Sequence, residues 1–267
     1  MDNATRPGQG KSALITGASG GIGYELARLF ARDGYNLVLV ARSGDKLDAI
    51  KGDLEKRHGI NVTVIAKDLS EHSSPQELFD QVQNAGIKVE VLINNAGFSD
   101  FGLFVETDLQ KALEMLQVNV VTLTHLTRLF LPGMVQRRSG RIMNVASTAA
   151  YFPGPLMAVY YATKAYVLSF SEALSNELQG TGVTVTALCP GPTETGFQKR
   201  GNLEDSKLVA GRKIMDARTV ARIGYKGLLK GQPVVVTGLR NLLMVQSVRF
   251  TPRAVVRRTV RRAQERV

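Results

Sequence analysis

The chain has a single cysteine, Cys189, in 267 residues. No intramolecular disulfide can form, which fits a reducing compartment. Histidine is nearly as scarce. His58, His72 and His125 share no ligand spacing with Cys189 or with one another, so no catalytic metal is expected. Long apolar runs are missing, and none reaches the ~18 residues needed to span a bilayer. The first eleven residues, MDNATRPGQGK, lack the apolar core of a signal peptide. With one Pro and two Gly they read as a flexible lead-in, and the expected location is cytoplasmic. No repeat, low-complexity tract or linker divides the rest. The length suits one domain with a substantial core, residues 12–240, followed by a C-terminal extension, 241–267.

Acidic residues are also rare at one end. Residues 240–267 hold eight Arg and one Glu, +7 of the total +11, whereas residues 1–239 carry 26 basic and 22 acidic side chains. The body is ordinary and the tail is basic. No nucleic-acid-binding module accompanies that charge, so nucleic acid is not an expected partner.

What is present alternates. Residues 12–17 (SALITG) form a short apolar run, read as a buried strand. The glycine-rich turn 17–23 (GASGGIG) follows, and then helical apolar spacing over 24–33. A strand, a glycine turn and a helix bring backbone N–H groups and a helix N-terminus up to a phosphate. Strands are expected at 36–42, 62–69, 89–97, 140–147, 183–189 and 233–238, and helices at 44–58, 75–85, 106–136 and 157–179. That alternation argues for a parallel sheet with right-handed crossovers. At the end of the second strand an Asp would bind a ribose 2′-hydroxyl and repel a phosphate. Here Arg42 stands instead, able to neutralise and fork onto a 2′-phosphate, so NADP is expected over NAD.

Tyr160 and Lys164 are four residues apart on an expected helix and share one face. A free phenol titrates near ~10. A fixed ammonium beside it favours the phenolate, so the pair could exchange a proton near neutrality. Ser147, thirteen residues upstream, offers a hydroxyl to a carbonyl oxygen near the phenol. Tyr161 also shares the face of Lys164 and competes with Tyr160. Asn119 lies mid-helix among Val118, Val120 and Val121, where it could equally be hydrogen-bonded locally.

Taken in order, Thr16-Gly17-x-x-x-Gly21-x-Gly23, Asp68, Asn94-Asn95-Ala96-Gly97, Asn119, Ser147, Tyr160-x-x-x-Lys164 and Pro190-Gly191 resemble the short-chain dehydrogenase/reductase family over about residues 11–240. The resemblance implies an α/β fold: a Rossmann-like, doubly wound parallel sheet of seven strands in order 3-2-1-4-5-6-7, with helices on both faces, as a single domain. It implies Tyr160, not Tyr161, as acid in reduction and base in oxidation. By the same resemblance Lys164 lowers the tyrosine pKa and holds the nicotinamide ribose, Ser147 polarises the substrate carbonyl, and Asn119 holds a relay water. Gly17, Ser19, Gly21, Ile22 and Gly23 would surround the pyrophosphate and ribose, Asp68 and Leu69 would meet the adenine, Asn95 would lie along the adenosine side, and Ala96 and Gly97 would also contact the cofactor. Thr193 would meet the nicotinamide end, and Pro190 and Gly191 would also contact the cofactor. The expected activity is hydride transfer between NADPH and a carbonyl or alcohol.

Phe98, Phe101, Phe104, Tyr151, Phe152, Leu156, Met157 and Phe197 lie on segments near the expected site and suggest a hydrophobic ketone, aldehyde, acyl or steroid-like substrate. The charged loop 193–215 is expected to close over it. A non-catalytic dinucleotide sensor on the same fold is the alternative; such a protein would be expected to lose Ser147, Tyr160 or Lys164. The resemblance further implies a homodimer or homotetramer paired through helices 106–136 and 157–179. In the tail, Val256, Val260, Ala263 and Val267 repeat at helical spacing among arginines. That pattern favours packing on the body or on a second subunit ahead of weak peripheral contact with a membrane.

Overall fold

A computed structural model describes residues 6–197, 207 and 214–265. Seven strands form one parallel sheet, and their residues explain why. β1 (Ser12–Thr16), β2 (Asn36–Ala41), β4 (Val89–Asn94), β5 (Gly140–Val145) and β6 (Val183–Cys189) are rich in apolar residues and mostly buried, while the edge strand β3 (Val62–Ala66) buries Val62 and Ile65 and leaves Ala66 exposed. A sheet covered on both faces requires such runs. Two short strands, β7 (Thr193–Glu194) and β8 (Met215–Asp216), pair with each other apart from the sheet, and β9 (Val234–Val236) completes its edge. The order is β3-β2-β1-β4-β5-β6-β9, with Leu14 of β1 registered between Val38 and Leu92. This is the expected Rossmann-like order.

Alternate side chains feed two cores. Ala13, Ile15, Leu37 and Leu39 face one side, where they meet Leu26 and Phe30 of α1 (Gly21–Arg32) and Leu47 and Leu54 of α2 (Gly44–His58). Leu14, Val38 and Val40 face the other, against Leu78 and Val82 of α3 (Ser74–Asn84) and Leu126 and Phe130 of α5 (Leu123–Gln136).

The long helix expected over 106–136 begins later and is interrupted. Asp108 caps α4 (Leu109–Leu116) by accepting from the amides of Gln110 and Lys111, and a π-helical turn, Gln117–Thr122, joins α4 to α5. After β5, a 3₁₀ turn (Thr148–Tyr151) leads into α6 (Ala158–Glu177).

Residues 217–229, which the sequence pattern left without an element, form α7 (Ala217–Leu229), capped by Asp216. Its Phe30–Tyr225 ring contact (centroids 4.8 Å apart) and the Tyr225 hydroxyl, donating to Asp33 at 2.6 Å, fasten it to α1. Gly224 and Gly227 weaken its helical signal but bring it close to the sheet. A Cβ at Gly227 would stand 2.4 Å from Val235 Cγ2.

Part of the expected lead-in is docked. The Arg6 guanidinium donates to His58 O at 2.8 Å, and the Gly8 amide donates to Asp33 O at 2.9 Å. The tail forms α8 (Leu239–Ser247), a short 3₁₀ turn and α9 (Arg253–Gln264). Val256 and Gln264 of α9 are buried and Val260 packs against the apolar cluster that holds Tyr160 and Tyr161, so this helix lies on the body. Val267 lies outside the described residues.

Candidate active site

All the catalytic and cofactor-binding residues selected from the sequence, except Gly23 and Asn119, line one cleft of about 810 Å³ at the C-terminal edge of the sheet. That edge is where open α/β sheets bind ligands, at the point where strand order reverses between β1 and β4.

At one end, Gly17 (φ 66°) and Gly21 (φ 56°) adopt the left-handed conformation that favours glycine. Gly23 sits beneath them, where a Cβ would come within 2.4 Å of Gly17 O. Gly20 supplies no capping side chain, so the first amides of α1 remain available to an anion. Asn95 does not reach outward. Its Nδ2 donates to Thr16 O and Gly17 O at 2.9 and 3.1 Å, fixing the turn against β4. This uncapped turn and close backbone approach fit a pyrophosphate.

Beyond it lie Arg42, Ser43, Lys46, Lys67, Asp68 and Leu69. Burial pushes the Asp68 carboxyl up, but the Ser70 amide and hydroxyl and the Arg42 guanidinium hold it below the usual carboxylate range. Arg42 Nη1 is 3.8 Å from Asp68 Oδ2, with most of its side chain in solvent. Lys46 was not singled out from the sequence. Its place two residues into α2, one turn beyond Arg42, is the signal that could have found it.

At the other end, Ser147 caps the 3₁₀ turn after β5, its Oγ accepting from the Ala149 amide at 3.0 Å. Tyr160 (8% exposed) and Lys164 (5% exposed) lie one turn apart on α6, as their spacing predicts. Lys164 Nζ donates to Val145 O at 2.7 Å and stands 5.8 Å from the Tyr160 ring centre. Tyr161 is engaged elsewhere, its hydroxyl accepting from Gln264 Nε2 of α9 at 2.5 Å. Pro190 O receives the Thr148 amide and the Ser147 hydroxyl, and Thr193 Oγ1 donates to Gly191 O at 2.8 Å.

One electrostatic expectation is reversed. Lys164 was expected to bring the Tyr160 pKa down. Instead, burial pushes the phenol well above its ordinary value, with the neighbouring Ser147 hydroxyl opposing the rise and Tyr161 adding to it. Burial also lowers Lys164 to about 8, and raises Tyr161 to about 12 against the opposing Gln264 bond. Desolvation disfavours both charged forms and is the largest cause of each shift.

Asn119 occupies the π turn and is buried. Its Nδ2 donates to Phe98 O and Thr163 Oγ1 at 3.0 and 3.1 Å, and its Oδ1 accepts from the Phe98 amide. A Cβ on Gly97 would lie 2.9 Å from Asn119 Oδ1 and 3.6 Å from Lys164 Nζ, so both side chains converge on Gly97.

The apolar wall is partly as expected. Phe98, Met157 and Phe197 line the cleft, and Phe101 and Phe152 pack on the cluster behind it. Leu156 lies in an adjoining depression with φ 71°. Tyr151 turns away toward Cys189, and Phe104 faces solvent. Residues 198–206 and 208–213 of the expected closing loop lie outside the described residues. The packing of Val260 of the tail on the cluster behind the cleft was missed, because helical spacing does not say what a helix packs against. Among the described residues, no three His, Cys, Asp or Glu side chains are grouped as a metal site requires.

The family model for short chain dehydrogenases matches residues 11–206. The very-long-chain 3-oxoacyl-CoA reductase of Anas platyrhynchos is 35% identical over 202 residues, 73% of this chain and 64% of that protein. The chain thus spans somewhat less than two-thirds of the length of that curated relative. A solved short-chain dehydrogenase from Sphingobium yanoikuyae in complex with NADPH is similar at a TM-score of 0.82 and 30% identity, over 96% of this chain and 98% of that one. A short-chain dehydrogenase/reductase from Burkholderia phymatum in complex with NAD is similar at 0.79 and 27%, over 90% and 92%. Family match, sheet order and cleft agree: this chain belongs to the short-chain dehydrogenase/reductase family of oxidoreductases.

Proposed function

We propose that the chain is an NADPH-dependent reductase acting on a carbonyl within a long hydrophobic acyl or ketone substrate. The observation that carries this reading is the grouping of Ser147, Tyr160 and Lys164 at one end of a cleft whose other end holds an uncapped helix N-terminus and Arg42. Gly17, Ser19, Gly21 and Ile22 would hold the pyrophosphate, with Gly23 keeping α1 close beneath. Arg42, joined by Lys46, would hold a 2′-phosphate, and Asp68 and Leu69 the adenine. Asn95, Ala96 and Gly97 would form the floor, Tyr160 and Lys164 would meet the nicotinamide ribose, and Pro190, Gly191 and Thr193 the nicotinamide side. The chemistry the dinucleotide supplies when bound is hydride donation to the carbonyl carbon.

The protein's part is to orient the carbonyl and to supply a proton. The Ser147 and Tyr160 hydroxyls would donate to the carbonyl oxygen, where negative charge grows. The raised pKa of Tyr160 keeps its Oη protonated at neutral pH, which suits a proton donor and favours reduction as the working direction. Lys164, at about 8, is a stronger acid than the raised phenol, so return of that proton from its ammonium to the phenolate would run downhill. Asn119 holds the Phe98 backbone and Thr163 in place beside Lys164. Phe98, Met157 and Phe197 keep water from the reacting end and favour an apolar substrate. The name of the Anas platyrhynchos relative supports a 3-oxoacyl thioester as the first substrate to test. Exposed Leu109, Leu113 and Val121 on the 109–122 segment support pairing of two chains through this face.

Dinucleotide titration by fluorescence tests the cofactor. Tighter binding of NADPH than NADH in the wild type, with Arg42→Ala weakening NADPH about 10- to 100-fold and leaving NADH within about threefold, supports the reading. Equal or better NADH binding by the wild type overturns the cofactor choice. Rates on 3-oxoacyl thioesters of increasing chain length test the substrate, and faster turnover of small polar ketones overturns it.

A further inference from the structure

The tail combines two features that pull in different directions. The apolar residues of α9 are already engaged, since Val256 is buried, Val260 packs on the tyrosine cluster and Gln264 bonds Tyr161. Its arginines, among them Arg253, Arg257 and Arg258, face solvent. The preceding helix α8 is arranged the other way. Only Val245 of its nine residues is buried. Leu239 (71% exposed), Leu243 (63%) and, just after the helix, Phe250 (89%) face outward, with Leu242 and Met244 beside them. Leu239, Leu243 and Phe250 follow at intervals of four and seven, which places them along one helical stripe continued into the 3₁₀ turn. Arg240 and Arg249 are interleaved with these residues and are also exposed.

No Asp or Glu occurs from 217 to 264, while eleven Lys and Arg do. A second copy of the same patch would therefore bring like charges together around the apolar contact, which disfavours a symmetric pairing there. An anionic bilayer surface satisfies both features. Apolar side chains enter the acyl boundary, and arginines stay at the headgroups with their stems alongside. α8 is about 14 Å long, too short to cross a ~30 Å hydrocarbon core, and no helix among the described residues is long and apolar enough to span. We propose that α8 and the following turn, with the flanking arginines, form a peripheral docking surface for anionic lipid membranes. This inference is independent of the cofactor and substrate assigned above.

The test is co-flotation of the full chain with vesicles of phosphatidylcholine containing about one-third phosphatidylserine, and with phosphatidylcholine alone. The expected result is binding to the anionic vesicles that falls as salt is raised and is weak on phosphatidylcholine alone. Leu243→Asp with Phe250→Asp should lower it at least tenfold. Arg253→Gln with Arg257→Gln and Arg258→Gln should remove its salt dependence. Both variants should keep the wild-type circular dichroism and melting temperature, since every changed side chain is exposed. Failure of the wild type to float with anionic vesicles overturns the proposal. So does equal flotation by the Leu243/Phe250 variant, or a lipid-free wild-type oligomer that this variant dissociates, which would assign the patch to contact between copies.

Discussion

Replacing Lys164 by methionine should make the protein more stable and much less active, and the stability effect should depend on pH in a defined direction. Lys164 titrates at about 8 in the fold against its ordinary 10.5, because burial disfavours the ammonium. At about 1.4 kcal/mol per tenfold change in proton affinity, that difference amounts to about 3 kcal/mol. The folded-state value lies below the unfolded one, so between about pH 8 and 10.5 the unfolded chain binds more protons and stability rises with pH. Below about pH 8 the whole cost is present; above about 10.5 it is gone. Lys164→Met removes the charge at all pH values, at the expense of the bond to Val145 O. Unfolding by denaturant without added dinucleotide, at about pH 7 and about pH 10.5, measures the difference between the two proteins. The advantage of the variant should shrink by about 3 kcal/mol over that range, and its reductase activity should be about 10²- to 10⁴-fold lower throughout. A difference that stays constant with pH, or an advantage that grows, would refute the placement of a desolvated lysine beside Tyr160.

Two other substitutions test particular contacts. Gly23→Ala puts a Cβ 2.4 Å from Gly17 O and should cost about 1–3 kcal/mol of stability together with dinucleotide affinity, read by thermal melting and fluorescence titration. Tyr161→Phe removes the acceptor of the Gln264 Nε2 bond and should cost about 1–2 kcal/mol, while kcat stays within about threefold of wild type.

Much of this architecture could be read from residue order. The sheet strands are buried on both faces, so they stand out as short apolar runs, and the glycine turn between β1 and α1 marks where the strand order reverses. Tyr160 and Lys164 share a helix face by spacing alone. Other features leave no local trace. The π turn at Asn119 is one extra residue within a helix and changes no periodicity that a short window detects. α7 is diluted by Gly224 and Gly227, whose purpose is visible only when Leu188 and Val235 are seen pressing on them. The engagement of Tyr161 by Gln264 joins residues 103 positions apart. The direction of the Tyr160 shift follows from depth of burial, which neither the Tyr-x-x-x-Lys spacing nor composition encodes.

The most direct test of the central claim is reduction of a long-chain 3-oxoacyl thioester by NADPH, measured for wild type and Tyr160→Phe alongside NADPH binding. Tyr160 as proton donor predicts turnover by the wild type, at least a hundredfold loss of kcat in the variant, and NADPH affinity within a few-fold. Turnover by Tyr160→Phe within tenfold of wild type would contradict the assignment of the proton to that hydroxyl.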